Sequence, residues 1–313
     1  MDSSQTRTDL TRFIKNQAFF LGFNCVGIAQ AEQMEVEGNH LQIWLDLRYH
    51  ATMDWMQSRA GERKDILMYI PEAKSVVSLA MNYFHGSAKG ALKVSNYAWG
   101  DDYHEVLKGK IFRLLADIQE IHPDIGGLVC VDTSPVMEKA WARHAGIGWI
   151  GKHTNVITRD YGSWVFLGEL ILDHELDYDR PFDKDLCGSC TACLKACPTG
   201  AIVDEYIVDA NRCISYVTIE HRGDLADEMI HQLNGWIYGC DICQEVCPWN
   251  IKFAKRSSES QFAPRGEIVD RTPDQWQDMR EDDYRRIFRK SAVKRIKFER
   301  LKRNIEVNSG IGN

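Results

Sequence analysis

The stretch CGSCTACLKACPTG, residues 187–200, puts four cysteines into eleven residues, spaced C-x-x-C-x-x-C-x-x-x-C-P. Four more follow, Cys213 and then Cys240, Cys243 and Cys247 in CDICQEVCP. Only Cys25 and Cys130 stand apart, in the apolar runs FNCVGIA and GLVCVD, where they read as small buried hydrophobes. The opening MDSSQTRTDL is polar and lacks the apolar core of a secretory signal. No apolar run is long enough to span a membrane. A cytoplasmic protein with no membrane span is expected, and there dense thiols are metal ligands rather than disulfides. The 313 residues, 44% hydrophobic and 27% charged, suffice for more than one folded core.

The spacing is that of the bacterial ferredoxin run. Three thiolates at i, i+3 and i+6 in a tight loop reach three corners of one 4Fe–4S cubane, and the fourth, opening the next helix, points to a second cluster. By that logic cluster one takes Cys187, Cys190, Cys193 and Cys247, and cluster two takes Cys197, Cys213, Cys240 and Cys243. The second group lacks its first C-x-x-C step, and Cys213 fills the missing corner. Two zinc sites are the alternative for C-x-x-C pairs, although separate zinc sites need no overlapping ligands.

Upstream, strand-like runs (FNCVGIA, AKSVVSLAMNYF, GGLVCVD, SWVFLGELILD) alternate with helical ones. The helical runs are the first twenty residues up to Gly22, LQIWLDLRYHATMDWM, DDYHEVLKGKIFRLLADIQEI and SPVMEKAWARHAG. Ser134 suits the N-cap of the last of these, Pro135 its first turn and Gly146 its stop. This pattern predicts an α/β (or α+β) domain over 1–175, a two-cluster ferredoxin-like domain over 176–255 and C-terminal helices over 256–313. Net charge is −7, against a protein coated for nucleic acid, yet RRIFRKSAVKRIKFERLKR (285–303) holds ten Lys or Arg and one acid, Glu299. It reads either as a phosphate-binding face or as a solvated terminal helix.

Two clusters form an electron wire, and a wire needs a terminus. Residues 130–170 are rich in glycine (Gly146, Gly148, Gly151, Gly162, Gly168), as backbone approaching a large flat ligand would be. Asp132 falls where a strand ends, a usual place for a catalytic side chain. GIGWIG follows a helix rather than a strand, so no nicotinamide fingerprint is present.

The segments VDTSPVMEKAWARHAGIGWIGKHTNVIT, YGSWVFLGE, CGSCTACLKACPTGAI, NRCISYVTIE and YGCDICQEVCPWN together resemble the epoxyqueuosine reductases. NYAWGDDYHEVLK and SAVKRIKFERLKRN agree, and the likeness runs in order from about residue 10 to residue 308. The resemblance implies a cobalamin-binding catalytic half like that of reductive dehalogenases, which removes the epoxide oxygen of epoxyqueuosine at the tRNA wobble position. Many members carry a further domain of HEAT-like repeats, and this chain reads as a short form without it.

Asp132 matches the family's proton donor. An acid at a helix N-terminus is held ionised, whereas a donor must hold its proton, and burial against the corrin would have to raise it. For cobalamin the expected contacts are Met56, Tyr97, Asp132, Lys152, Asn155, Ile157, Gly168, Ser215 and Asp241, with no histidine below the cobalt because no DxHxxG box is present. Tyr103 and His104, with Tyr97 and Asp102, are expected at the substrate pocket. Arg222, Arg285, Arg286, Lys294 and Arg295 are expected to hold tRNA. A low-potential donor such as flavodoxin or ferredoxin would feed the clusters of a monomer. The alternatives are a dehalogenase-like corrinoid enzyme acting on a small molecule, a plain two-cluster electron carrier and a tRNA-binding module without catalysis.

Overall fold

The computed structural model describes residues 3–309. Helix α1 (Ser3–Phe20) buries Leu10, Ile14 and Ala18, one turn apart, and Gly22 at φ +96° turns the chain out of it. Strand β1 (Cys25–Gln30) follows, then β2 (Ser75–Asn82), buried along its whole length. A two-residue strand, β3 (Lys93–Val94), precedes the long helix α2 (Tyr103–Ile121), whose N-cap Asp102 accepts the His104 backbone N–H. Then come β4 (Gly127–Cys130), the short helix α3 (Glu138–His144) and β5 (Val165–Leu172).

The sheet order is β1, β2, β5, β4, and every pair is antiparallel. The expected N-terminal half is therefore of the α+β type: helices alternate with strands, but each strand returns beside an antiparallel neighbour. One face packs on α1 and α2 through Ile14, Leu107, Ile111 and Leu114. The other packs on α3, with Ala140 and Trp141 against Val76, Cys130 and Ile171.

The cysteine region adds short helices at Ala192–Ala196 and Ile214–Ile219, strand β6 (Trp236–Tyr238) and helix α4 (Pro248–Phe253). The C-terminal segment holds α5 (Glu281–Ile287), a 3-10 turn at Ala292–Arg295 and α6 (Phe298–Ser309). Strand β6 pairs in parallel with β3, and Ile237 and Tyr238 share one core with Val94 and Trp99 and with Tyr284, Phe288, Leu301 and Ile305. Strands and cores thus run across the positions near 175 and 255. Among the described residues no helix is long and apolar enough to cross a membrane.

Three local expectations are corrected. The helix expected from Ser134 begins at Glu138; Ser134 and Pro135 lie in a loop in which Asp132 takes φ +57°. The run LQIWLDLRYHATMDWM is broken: its helix spans Glu35–Asp46, and Arg48 and Ala51 take left-handed backbone before a single turn at Trp55–Ser58. The basic stretch 285–303 is three pieces rather than one helix, because Ser291 caps the turn after α5 and Ile296 is extended.

Candidate active site

Asp132 leaves the end of β4, and the first turn of α2 supplies its partner. His104 Nε2 lies 3.1 Å from Asp132 Oδ2, and His104 Nδ1 lies 2.7 Å from Asp102 Oδ1. Desolvation alone would strip the imidazole of its proton, but hydrogen bonds to Asp102 and Asp132 outweigh it and raise His104 to about 9. Tyr103 stacks on His104 at 4.0 Å and lies flat on Phe166 at 4.3 Å. Burial also raises Asp132, but the His104 hydrogen bond, with the charges of His104, Arg295 and Arg63, brings it below its ordinary value. The side chain is nonetheless 56% exposed, so it faces an open cleft. No helix N-terminus holds Asp132 ionised, as the sequence suggested; a histidine from another element does.

The backbone N–H of Asp132 donates to Glu138 Oε1 at 2.5 Å, which closes the loop onto the start of α3. Burial, then the charge of Asp132, raises Glu138 to about 8. The next residue, Lys139, reaches Asn155 Oδ1 at 3.3 Å. Burial lowers its pKa against the charges of Glu138, Cys243, Cys213 and Asp132. Lys139 thus lies between the carboxylates and the thiols of cluster two. With Tyr83, Asn155, Ser163 and Gln244 it lines a cavity of about 90 Å³.

The eight thiols of the cysteine region lie close to one another. Burial raises Cys193, Cys213, Cys240, Cys243 and Cys247, and each lies among other thiols. Cys247 feels Cys187 and Cys190, and Cys193 feels Cys187 and Cys247. Cys240 feels Cys213 and Cys197, and Cys243 feels Cys240 and Cys213. Cys193 also reaches Cys243, so the sets adjoin. Backbone N–H groups of Ser215 and Tyr216 point at Cys213, and those of Trp249 and Asn250 at Cys247, as thiolate ligands require.

The gap between Asp132 and cluster two fits cobalamin in its polar character. It offers Lys139 and Asn155, and behind Asn155 a buried His153 whose Nδ1 accepts the Asn155 N–H while its Nε2 has no partner. Burial lowers His153 to about 4, so it is neutral.

Several expected contacts are elsewhere. Lys152 donates to Gly188 O and Glu205 Oε1, both at 2.6 Å, and fastens the cluster-one loop. Asp241 accepts from Ser95 and from the Asn96 N–H. Gly168 faces the core, where a Cβ would meet Ile111 at 2.9 Å and Val131 at 3.1 Å. Ile157 packs with Trp149 and Cys247. Tyr97 is near the site, its ring 6.2 Å from that of Tyr103. Met56 follows Trp55, which Arg295 covers at 5.5 Å while pairing with Glu220 at 2.9 Å. Arg222 lies on an exposed loop. Arg285 pairs with Glu281, Arg286 with Glu267 and Asp283, and Lys294 sits 4.1 Å over the Tyr284 ring. Glu138, Lys139, Arg63 and Trp55 escaped the sequence reading. Glu138 alone left a signal, an acid six residues past Asp132 in the same loop-to-helix stretch.

Residues 63–133 match the family model described as epoxyqueuosine reductase QueG, DUF1730, and residues 186–250 match the 4Fe-4S double cluster binding domain. The chain is 44% identical to the epoxyqueuosine reductase of Cellulophaga algicola, over 98% of this chain and 99% of that one. It is 42% identical to that of Synechocystis sp., over 90% and 99%. It superposes with a TM-score of 0.85 on an epoxyqueuosine reductase solved with an epoxyqueuosine-modified tyrosine tRNA stem loop, at 29% identity over 96% of this chain and 80% of that one. With the Bacillus subtilis enzyme, solved with its catalytic aspartate loop swung out of the active site, the TM-score is 0.86 at 28% identity, over 96% and 81%.

Proposed function

Because the chain belongs to the epoxyqueuosine reductase family, we propose that Asp132, backed by His104, is the acid of the reaction by which it reduces epoxyqueuosine to queuosine in tRNA. The protein is an oxidoreductase with two 4Fe–4S clusters and cobalamin. Opening the epoxide to an alkene takes two electrons and two protons and releases water. Cobalamin, when bound, supplies the low-potential cobalt between the clusters and the epoxide. Lys139 and Asn155 are the groups that would hold it, with backbone around the glycines.

The observation that carries the reading is the chain Asp102–His104–Asp132 facing the same gap as the thiols of Cys213 and Cys243. As the carbon–oxygen bond breaks, the leaving oxygen becomes basic. Asp132 presents a proton to it, and His104, charged at rest and steadied by Asp102, hands that proton forward. The tension over an ionised aspartate acting as acid then disappears, because the proton is stored on the imidazole. Glu138 holds Asp132 through the backbone and fixes the loop that is swung out in the Bacillus subtilis relative.

The substrate is tRNA. Arg295 reaches Asp132 electrostatically and, with Trp55, forms a wall at the mouth, where a base or ribose next to the modified nucleoside would lie. A flavodoxin- or ferredoxin-like donor would load cluster one, the set further from Asp132, and the protein would act in the cytoplasm as a monomer. The test is single-turnover conversion of epoxyqueuosine tRNA by protein loaded with iron, sulfide and cobalamin under a chemical reductant. Queuosine should form in wild type and not in Asp132→Asn; full turnover by the variant would remove Asp132 from the reaction.

A further inference from the structure

Strand β5, VFLGELIL, is apolar except for Glu169, whose side chain is fully buried. Neither Glu169 carboxyl oxygen has a hydrogen-bond partner among the described residues, and neither does the hydroxyl of Ser78, opposite it in β2. Its other ladder neighbour is Cys130, two residues before Asp132. Gly168 faces α2, so strand alternation turns Glu169 to the opposite face, the one that α3 covers. Helix α3 opens with Glu138, whose Oε1 accepts the Asp132 N–H and leaves Oε2 to carry a proton. Three acids from three elements thus run from the sheet interior to the cleft: Glu169, Glu138, Asp132.

Glu169 is fully buried and Glu138 half-buried, and two neighbouring carboxyls so placed resist ionising together. The groups facing Glu138 are Asp132 from the loop, Tyr103 and His104 from α2, Lys139 from its own helix, Arg63 from the Ala60–Lys64 turn and Glu169 below. Those facing Glu169 are Ser78, Cys130 and Glu138. Burial dominates both, raising Glu138 to about 8 and Glu169 well above the carboxyl range, so the nearby cations do not strip their protons at neutral pH.

We propose that Glu138 and Glu169 form a carboxylic-acid store, reaching from the sheet interior to the edge of the cleft, that supplies the second proton of the reaction through Asp132. The inference rests on Asp132 being the acid. The first proton, from the Asp132–His104 pair, goes to the epoxide oxygen as one carbon–oxygen bond breaks. The second, from Glu138 by way of Asp132, goes to the same oxygen as the other bond breaks. The oxygen leaves as water, the two electrons come through the clusters and form the carbon–carbon double bond, and Glu169 shares its proton with Glu138 until solvent refills the pair.

Infrared spectroscopy of the full chain at neutral pH tests the store without turnover. Wild type should show deuterium-sensitive bands of protonated carboxyls, one lost in Glu138→Gln and one in Glu169→Gln. In single turnover Glu138→Gln should be slower by roughly tenfold or more. It should also lose the wild-type fall in rate as pH rises through about 8. Glu169→Leu, which removes an unpartnered buried acid, should fold even if the glutamine variant does not, and should slow turnover while tRNA affinity stays unchanged. Absence of both bands, or a Glu138→Gln enzyme with wild-type rate and pH profile, overturns the proposal. Bands present with an active Asp132→Asn enzyme would instead sink the role of Asp132 and leave the store without an outlet.

Discussion

The Asp241 carboxylate, between Cys240 and Cys243 in the sequence, accepts the backbone N–H of Asn96 at 2.7 Å. It is a bracket between the cluster loop and the segment after β3, fully enclosed, with Ser95 on its other oxygen. Asp241→Ala leaves that N–H buried and unpaired, which costs roughly 1–3 kcal/mol. The variant should melt several degrees lower and lose iron from cluster two faster under chelation. An unchanged melting temperature would show that the bracket is replaceable by water.

Asp132→Asn keeps size and shape but cannot donate an acidic proton. Turnover should fall by roughly 100- to 10,000-fold. The spectra of clusters and cobalamin, and tRNA affinity, should change little, since the lost interaction belongs to the transition state.

His104 gives a pH signature. Its pKa is raised from an ordinary 6.5 to about 9 by Asp102 and Asp132. The stability it contributes is therefore fully present below 6.5 and is lost as pH rises through about 9. The term is of the order of 3 kcal/mol at most. Denaturant melts of wild type and His104→Ala from pH 6 to pH 10 should converge toward the alkaline end; parallel curves would mean that His104 is neutral in the fold.

The crossed thiol sets make a discriminating mutant. Cys197 lies in the first cysteine run but groups with Cys213 and Cys240. Cys197→Ala should therefore damage cluster two and spare cluster one. Electron paramagnetic resonance of the reduced protein, which loses the coupling between two clusters, reads this directly.

In the basic stretch, most of the expected tRNA contacts are already engaged. Arg285 and Arg286 have acidic partners on or beside α5. Among the described residues Arg289 and Lys290 have no ion-pair partner, and they line a cleft of about 460 Å³ with Arg265 and Arg286. The double change Arg289→Gln, Lys290→Gln should weaken tRNA binding and reduce its salt slope by about two. Changing Arg285 alone should do less, although surface ion pairs are weak enough to open for a phosphate.

The cysteine runs could be read from the sequence because local spacing brings Cys187, Cys190 and Cys193 into one loop and Cys240 and Cys243 into another; Cys247 opens the helix Pro248–Phe253, whereas Cys197 closes the helix Ala192–Ala196 instead of opening one. Asp132 was legible as the end of a strand. Its partners were not, because Glu138 and Arg63 meet it only through a left-handed turn at Asp132 that a Ser-Pro pair made look like a helix start. The side chains of Lys152 and Asp241 are taken up by Glu205 and by Ser95 and the Asn96 N–H, and Gly168 lies within the sheet; local sequence does not say which partner a side chain takes. The basic run failed as a helix for a similar reason: burial of Ala292 and Val293 in the C-terminal core breaks it at Ser291.

The pairing of β3 with β6 sets an order of events during synthesis. Lys93 and Val94 leave the ribosome long before Trp236 and Tyr238, so the first half of the chain waits with an open edge and an unfilled core. Cys187 to Cys197 emerge inside that interval, yet Cys247, the fourth ligand of cluster one, comes only after β6. Iron delivered early would meet an incomplete set of thiols. Cluster insertion is thereby tied to the closing of the fold, and a truncated chain ending before Tyr238 would lack both its strand partner and a complete cluster, a combination that marks it for proteolysis rather than for partial activity.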